Sequence, residues 1–148
     1  VAQNNGKFIS ESELRVRYQE TDQMGVVYHT NYLVWFEVGR SSWVRELGIS
    51  YRELEKMGLL LPLIEAYCQY RSPARYDDEI IVRTHVGEVS RSKLTFHYEI
   101  LRKEDAKLLA KGKTTHLWVN RQMKRVDVQK DYPEVYQLVA KNSAERSG

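Results

Sequence analysis

Asn31-Tyr32-Leu33-Val34-Trp35-Phe36-Glu37-Val38-Gly39-Arg40-Ser41-Ser42-Trp43-Val44-Arg45-Glu46-Leu47 is the run that decides the fold. Over its first two turns, apolar side chains fall on nearly every face. A helix that is hydrophobic all round is a buried helix. The later turns become amphipathic, and Gly48 ends the run as a C-terminal glycine does. A buried helix needs other elements to wrap it, so the flanking sequence must supply a surrounding layer.

That layer reads as strands. Upstream, Leu14, Val16 and Tyr18 alternate with Arg15, Arg17 and Gln19, the period of two that marks a strand with one buried face. Residues Val1 to Phe8 read as a frayed terminus, and Thr21 to Gly25 as a turn. Downstream, Ser50 followed by Glu53 is a capping-box pattern and announces a short helix ending near Gly58. Four strands then follow: Leu61 to Tyr70, Glu79 to Val89, Lys93 to Leu101 and Leu108 to Asn120. Pro73 breaks the chain between the first two of these, and Gly112 marks a candidate bulge in the last. Asn120 to Met123 reads as a turn, Pro133 opens a short helix to about residue 142, and the tail reads as flexible.

Strands in succession with short connections favour an antiparallel sheet. The expected class is α+β, a curved antiparallel sheet wrapped around one long central helix. It forms a single domain over residues 1–148 with its core at about 11–130. Part of such a sheet has an open edge, and pairing that edge with a second copy gives an expected homodimer.

Composition narrows the function. The chain has 148 residues and a formal net charge of +3, with its basic residues scattered rather than clustered. That mild excess is a weak argument for an anionic ligand and does not suggest a nucleic-acid partner. Cys68 is the single cysteine, which excludes an internal disulfide and fits a reducing compartment; it reads as a small buried hydrophobe. No apolar segment approaches the roughly 20 residues that span a membrane. The polar start VAQNNGK lacks the pattern of a signal peptide. A cytoplasmic protein is expected.

The chemistry is sought just before the helix, in Thr21-Asp22-Gln23-Met24-Gly25-Val26-Val27-Tyr28-His29. The first backbone N–H groups of a helix lack intrahelical partners and carry the positive end of its dipole. A polarised carbonyl oxygen can sit there, as an oxyanion does in acyl transfer. Asp22, in the preceding turn, would face the same carbonyl, either to attack its carbon or to take a proton from water. A thioester suits such a sparse site better than an amide, because a thiol with a free pKa near ~8.5 leaves without a strong general acid. No G-x-S-x-G, H-E-x-x-H or G-x-x-x-x-G-K-[ST] motif offers a different chemistry. Turn chemistry alone leaves a purely structural role open for Asp22, since aspartate before glycine commonly bonds nearby N–H groups. His29 reads equally as a helix-start residue, Tyr18 as an inward strand side chain, and Glu37 as an ion-pair partner of Arg40 or Arg45.

The stretch from Arg15 to His29, RVRYQETDQMGVVYH, resembles the active-site signature of the 4-hydroxybenzoyl-CoA thioesterase family. The continuations Asn31 to Glu37 and Ser72 to Asp78 resemble its acyl-CoA thioesterase branch, which includes the Tol-Pal-associated enzymes. The likeness covers roughly Glu13 to Val126. It implies a hotdog fold, a dimer commonly paired into a tetramer, and an acyl-CoA substrate whose CoA is part of the substrate rather than a cofactor; no metal is expected. It implies Asp22 as the catalytic carboxylate, nucleophile or general base, and the His29 backbone N–H as the oxyanion donor. Tyr18 and the His29 side chain match proposed catalytic assistants. Arg91 and Lys93 fall where related enzymes hold CoA phosphates, although two solvated turn charges would look the same. The H-F-P-x-x-P block of the related dehydratases is missing. A second thioesterase class carries its acid within the helix, which makes Glu37 the reserve candidate. The rival expectation is a non-catalytic acyl-CoA or acyl-carrier-protein binding module or scaffold.

Overall fold

The computed structural model describes residues 2–4 and 7–143, with side chains from Phe8 onward. Its elements run β1 (Ala2–Asn4), β2 (Lys7–Arg15), a 3-10 turn (Tyr18–Glu20), α1 (Asn31–Glu46), α2 (Tyr51–Lys56), β3 (Leu63–Tyr70), β4 (Glu79–Val89), β5 (Lys93–Arg102), β6 (Lys107–Leu117), α3 (Val128–Asp131) and α4 (Pro133–Lys141). The strands form one antiparallel sheet in the order β1-β2-β4-β5-β6-β3. The α1–α2 segment therefore carries the chain from β2, near one side of the sheet, to β3 at the far edge.

The helix packs into the sheet through Tyr32, Trp35, Phe36, Gly39, Trp43 and Val44, all buried. Phe36 stacks on Tyr98 of β5 at 4.2 Å, and the Trp43 indole N–H donates to the Phe8 carbonyl at 2.9 Å. Two glycines make this approach possible. A Cβ on Gly39 would lie 2.3 Å from Thr84 Oγ1, and one on Gly112 would lie 2.2 Å from the Tyr67 carbonyl and 2.8 Å from the Phe36 ring. The Phe36 ring thus seats over a strand with no side chain in its way. A helix held along a wrapping antiparallel sheet is the hotdog arrangement that the resemblance implies.

Several expectations are corrected. Ala2–Asn4 is not frayed: it pairs with Lys7–Ile9, and β2 begins at Lys7. That strand stops at Arg15, so Tyr18 sits in the 3-10 turn and not on an inward strand face. The helix α1 is not buried on every face, because Leu33, Val34 and Val38 point outward from its early turns. Glu37 pairs with neither Arg40 nor Arg45 among the described residues; Arg40 instead reaches the Tyr98 hydroxyl at 3.5 Å. Gly112 keeps regular register with Cys68 and Tyr98; the irregularity of β6 lies at Leu109 instead, where Ile100 pairs with Ala110 and Leu101 with Leu108. The short α3 was not anticipated. The predicted flexible tail is ordered at its start, where Asn142 accepts from Phe8 N–H at 3.0 Å and Ser143 is buried; residues 144–148 lie outside the described residues. Among the described residues no helix is long and apolar enough to cross a membrane.

Candidate active site

The segment from Arg17 to Asn31 folds as two linked turns at the end of the sheet where β2 finishes and β4 begins. Val16 N–H donates to the Asp78 carbonyl and Val27 N–H to the Ala74 carbonyl, both at 2.9 Å, which docks the segment on the loop before β4. Arg102 of β5 fixes that loop in turn: it donates to the Pro73 carbonyl at 3.1 Å and to Asp78 Oδ2 at 3.3 Å.

Asp22 opens a tight hairpin. Gly25 N–H donates to the Asp22 carbonyl at 3.0 Å and Asp22 N–H to the Val26 carbonyl at 2.9 Å. Gly25 takes φ +80, a conformation that favours glycine. The Asp22 side chain holds the turn through one oxygen, Oδ1, which accepts from Met24 N–H at 2.8 Å and Val26 N–H at 3.4 Å. Oδ2 accepts no hydrogen bond from the described residues. The structural and chemical readings of this aspartate are therefore compatible: one oxygen builds the turn and the other is left open.

The return strand leads within two residues to His29 and the start of α1. The first turn of the helix is tight, with Asn31, Tyr32 and Leu33 N–H donating three residues back to the Tyr28, His29 and Thr30 carbonyls. The His29 and Thr30 N–H groups donate to no acceptor among the described residues. The helix start thus presents two open donors, at His29 and Thr30. The His29 ring packs beside Tyr28 at 4.4 Å and against the edge of Tyr70 at 6.4 Å. A cavity of about 240 Å³ opens here, lined by Val27, His29, Tyr32 and Tyr70 and by the Arg71–Pro73 loop.

Tyr18 lies on the same segment but is 72% exposed, and its ring meets Tyr76 edge-on at 5.8 Å. Tyr18, Asp22 and His29 are brought to one end of the sheet by backbone bonds, such as Thr21 N–H to the Tyr18 carbonyl. No side-chain hydrogen bond joins them to one another. Arg91 and Lys93 sit apart, at the β4–β5 hairpin, the opposite end of strands that begin beside Asp78. Arg91 is engaged there with Gln129 at 3.0 Å and Asp127 at 3.8 Å.

Sequence reasoning missed Glu20, which organises the segment. Its carboxylate is 6% exposed; Oε1 accepts from Arg17 N–H at 2.8 Å and Oε2 from the Trp35 indole at 3.0 Å. Its carbonyl accepts from Tyr28 N–H at 2.8 Å and from the Asn31 amide at 3.0 Å. Burial of this polar side chain is tolerated because both oxygens are bonded. The sequence also gave no sign of Tyr70, whose hydroxyl donates to the His29 carbonyl at 3.0 Å across 41 residues of chain.

Comparison with known proteins finds relatives in sequence and in fold. The thioesterase-like superfamily matches residues 16–138. A Bacillus subtilis protein provisionally named acyl-CoA thioesterase YneP is 36% identical over 127 residues, 85% of this chain and 91% of that one. The acyl-CoA thioesterase YbgC of Haemophilus influenzae is 34% identical over 90 residues, 60% of this chain and 66% of its own. The solved structure of a DHNA-CoA thioesterase from Staphylococcus aureus superposes with a TM-score of 0.85 at 33% identity, covering 90% of this chain and 89% of that one.

Proposed function

The chain belongs to the thioesterase-like superfamily and is a thioester hydrolase, and we propose that it cleaves acyl-CoA with Asp22 as its working carboxylate. The observation that carries this reading is the pairing of an open carboxylate oxygen on Asp22 with open backbone donors at His29 and Thr30. Asp22 attacks the thioester carbon or takes the proton of an attacking water. The carbonyl oxygen gains negative charge and is met by the His29 N–H at the positive end of α1. The tetrahedral adduct collapses, the carbon–sulfur bond breaks, and the CoA thiolate leaves and is protonated. If Asp22 attacks, water then hydrolyses the resulting anhydride. The cavity beside His29 and Tyr70 supports acyl placement along α1. Tyr18, exposed beside Tyr76, fits a role at the mouth of the site better than one beside the carboxylate.

The active unit in this reading is a dimer. The edge strand β3 exposes Leu63, Ile64, Tyr67 and Tyr70, and the neighbouring face of α1 exposes Leu33, Val34 and Val38. Antiparallel pairing of β3 with its copy would cover this surface and continue the sheet. It would also reverse the second sheet, so that the second copy's β4–β5 hairpin lies toward this chain's Asp22 end. Only in that arrangement does a CoA-phosphate role for Lys93 or Arg91 make sense, and the engagement of Arg91 with α3 favours Lys93. Pairing of two dimers rests on the family resemblance alone. So does the narrower Tol-Pal-associated placement, since the relatives also include a 1,4-dihydroxy-2-naphthoyl-CoA hydrolase from Synechocystis. A cytoplasmic location follows from the nature of the substrate.

A thiol-release assay over short, long and aromatic acyl-CoAs tests the function. The expected result is CoA release from at least one class, with the preferred class naming the acyl group. Saturable acyl-CoA binding with no thiol release from any member would establish the non-catalytic binding module instead.

A further inference from the structure

Two consecutive peptides at the start of α1 have open N–H groups, and both have their carbonyls held twice. The carbonyl of the Tyr28–His29 peptide accepts from Asn31 N–H at 3.0 Å and from the Asn31 side-chain amide at 3.3 Å. The carbonyl of the His29–Thr30 peptide accepts from Tyr32 N–H at 3.3 Å and from the Tyr70 hydroxyl at 3.0 Å. The helical donor to the His29 carbonyl is long at 3.3 Å, where the turn closes over three residues rather than four. The side chains of Asn31 and Tyr70 supply the second bond in each case. A hydrogen bond to an amide carbonyl polarises the same amide's N–H, by about 10–30% per bond in condensed-phase estimates. It also fixes the direction in which that N–H points. Donors fixed before the reaction are the ones that stabilise developing charge at least cost.

Tyr70 comes from β3, not from the segment that carries Asp22. Its ring is wedged against Tyr32 at 5.1 Å and His29 at 6.4 Å, and Tyr32 is itself buried, with its hydroxyl accepting from Ala74 N–H at 3.2 Å. The ring therefore holds its place independently of the hydroxyl. Burial, followed by the adjacent Cys68, pushes the Tyr70 hydroxyl up to about 12, so it keeps its proton and remains a donor throughout the working pH range.

We infer that Tyr70 is a positioning residue of the oxyanion site, acting through the His29 carbonyl to set the Thr30 N–H as a second donor beside the His29 N–H. The inference rests on the thioesterase reading above. It assigns to β3 a part in catalysis that the Asp22 segment cannot supply for itself. Because Tyr70 touches the donor peptide and not the reacting atoms, its removal should weaken charge stabilisation without weakening substrate binding.

The test is Tyr70→Phe, which keeps the ring and removes only the hydroxyl. Losing one direct oxyanion donor costs about 100- to 1,000-fold in kcat, and an indirect contact should cost about tenfold. The expected result is that loss in kcat, with KM within about twofold and an unchanged Tm. A second readout does not need turnover. Isotope-edited infrared spectra of an acyl-CoA bound to Asp22→Asn should show the thioester carbonyl stretch shifted down from its solution value. Adding Tyr70→Phe should move that band back toward solution. Unchanged kcat, or an unchanged band in the double variant, would overturn the proposal, as would a rise in KM with kcat intact. If Asp22→Asn retained normal turnover, the wider reading would fail, and the carbonyl band of a non-hydrolysable ketone analogue of acyl-CoA, bound with and without Tyr70→Phe, would report on Tyr70 instead.

Discussion

Glu20 and Asp22 are two residues apart, and the chain uses the two carboxylates in opposite ways. Glu20 is buried, with both oxygens and its carbonyl bonded, and it ties the 3-10 turn to Trp35 in the core of α1. Asp22 spends one oxygen on its own turn and leaves the other without a hydrogen bond from the described residues. In the proposed reading, the difference teaches how a fold can hold a reactive group steady without using it up. The fully bonded acid makes the frame, and the half-bonded acid is carried on it. Substitutions at the first should cost folding, and substitutions at the second should cost chemistry.

The sharpest break of this division is Glu20→Ala. It leaves the buried Trp35 indole N–H without an acceptor and frees Arg17 N–H, so stability should fall by about 3 kcal/mol. Urea titration measures the loss; a change below about 1 kcal/mol would remove Glu20 from the frame. The second prediction concerns pH. His116 is buried, bonded to the Leu61 carbonyl at 3.1 Å and Thr114 Oγ1 at 2.9 Å, and burial pushes its pKa down to about 4. The unfolded chain takes up this proton near pH 6.5 and the folded chain does not. His116 therefore costs no stability above about pH 6.5. Its penalty grows as pH falls toward 4, by up to about 1.4 kcal/mol per pH unit. Denaturation midpoints of wild type and His116→Gln between pH 7 and 4 should separate accordingly. The smallest effect belongs to Ser50→Ala, remote from both acids. Ser50 Oγ accepts from Glu53 N–H at 3.2 Å, and its loss should cost about 1 kcal/mol with kcat unchanged.

How much of this was legible in the sequence depends on the range of the interaction. The strand Glu79–Val89 and the helix from Asn31 were readable because periodicity is local, and both stand where the pattern put them. The Ser50 cap was readable for the same reason. Asp22 was visible because a turn aspartate before a helix start is a short-range arrangement. Glu20 with Trp35 and Tyr70 with His29 were not visible, since each joins residues that only the fold brings together. The outward apolar residues of α1 were misread because a lone sequence does not show which of a helix's apolar faces the fold covers. Arg91 and Lys93 were placed by likeness, and the length of β4 and β5 separates them from Asp22 within one chain.

The measurement that bears most directly on the account is the kcat of Asp22→Asn on a substrate that the wild type turns over. Asparagine keeps an Oδ1 acceptor for Met24 and Val26 N–H, so the hairpin and the Tm should survive. The account predicts a fall in kcat of about 100-fold or more with KM little changed. Near-normal kcat in a folded Asp22→Asn protein would contradict it and transfer the search to Glu37.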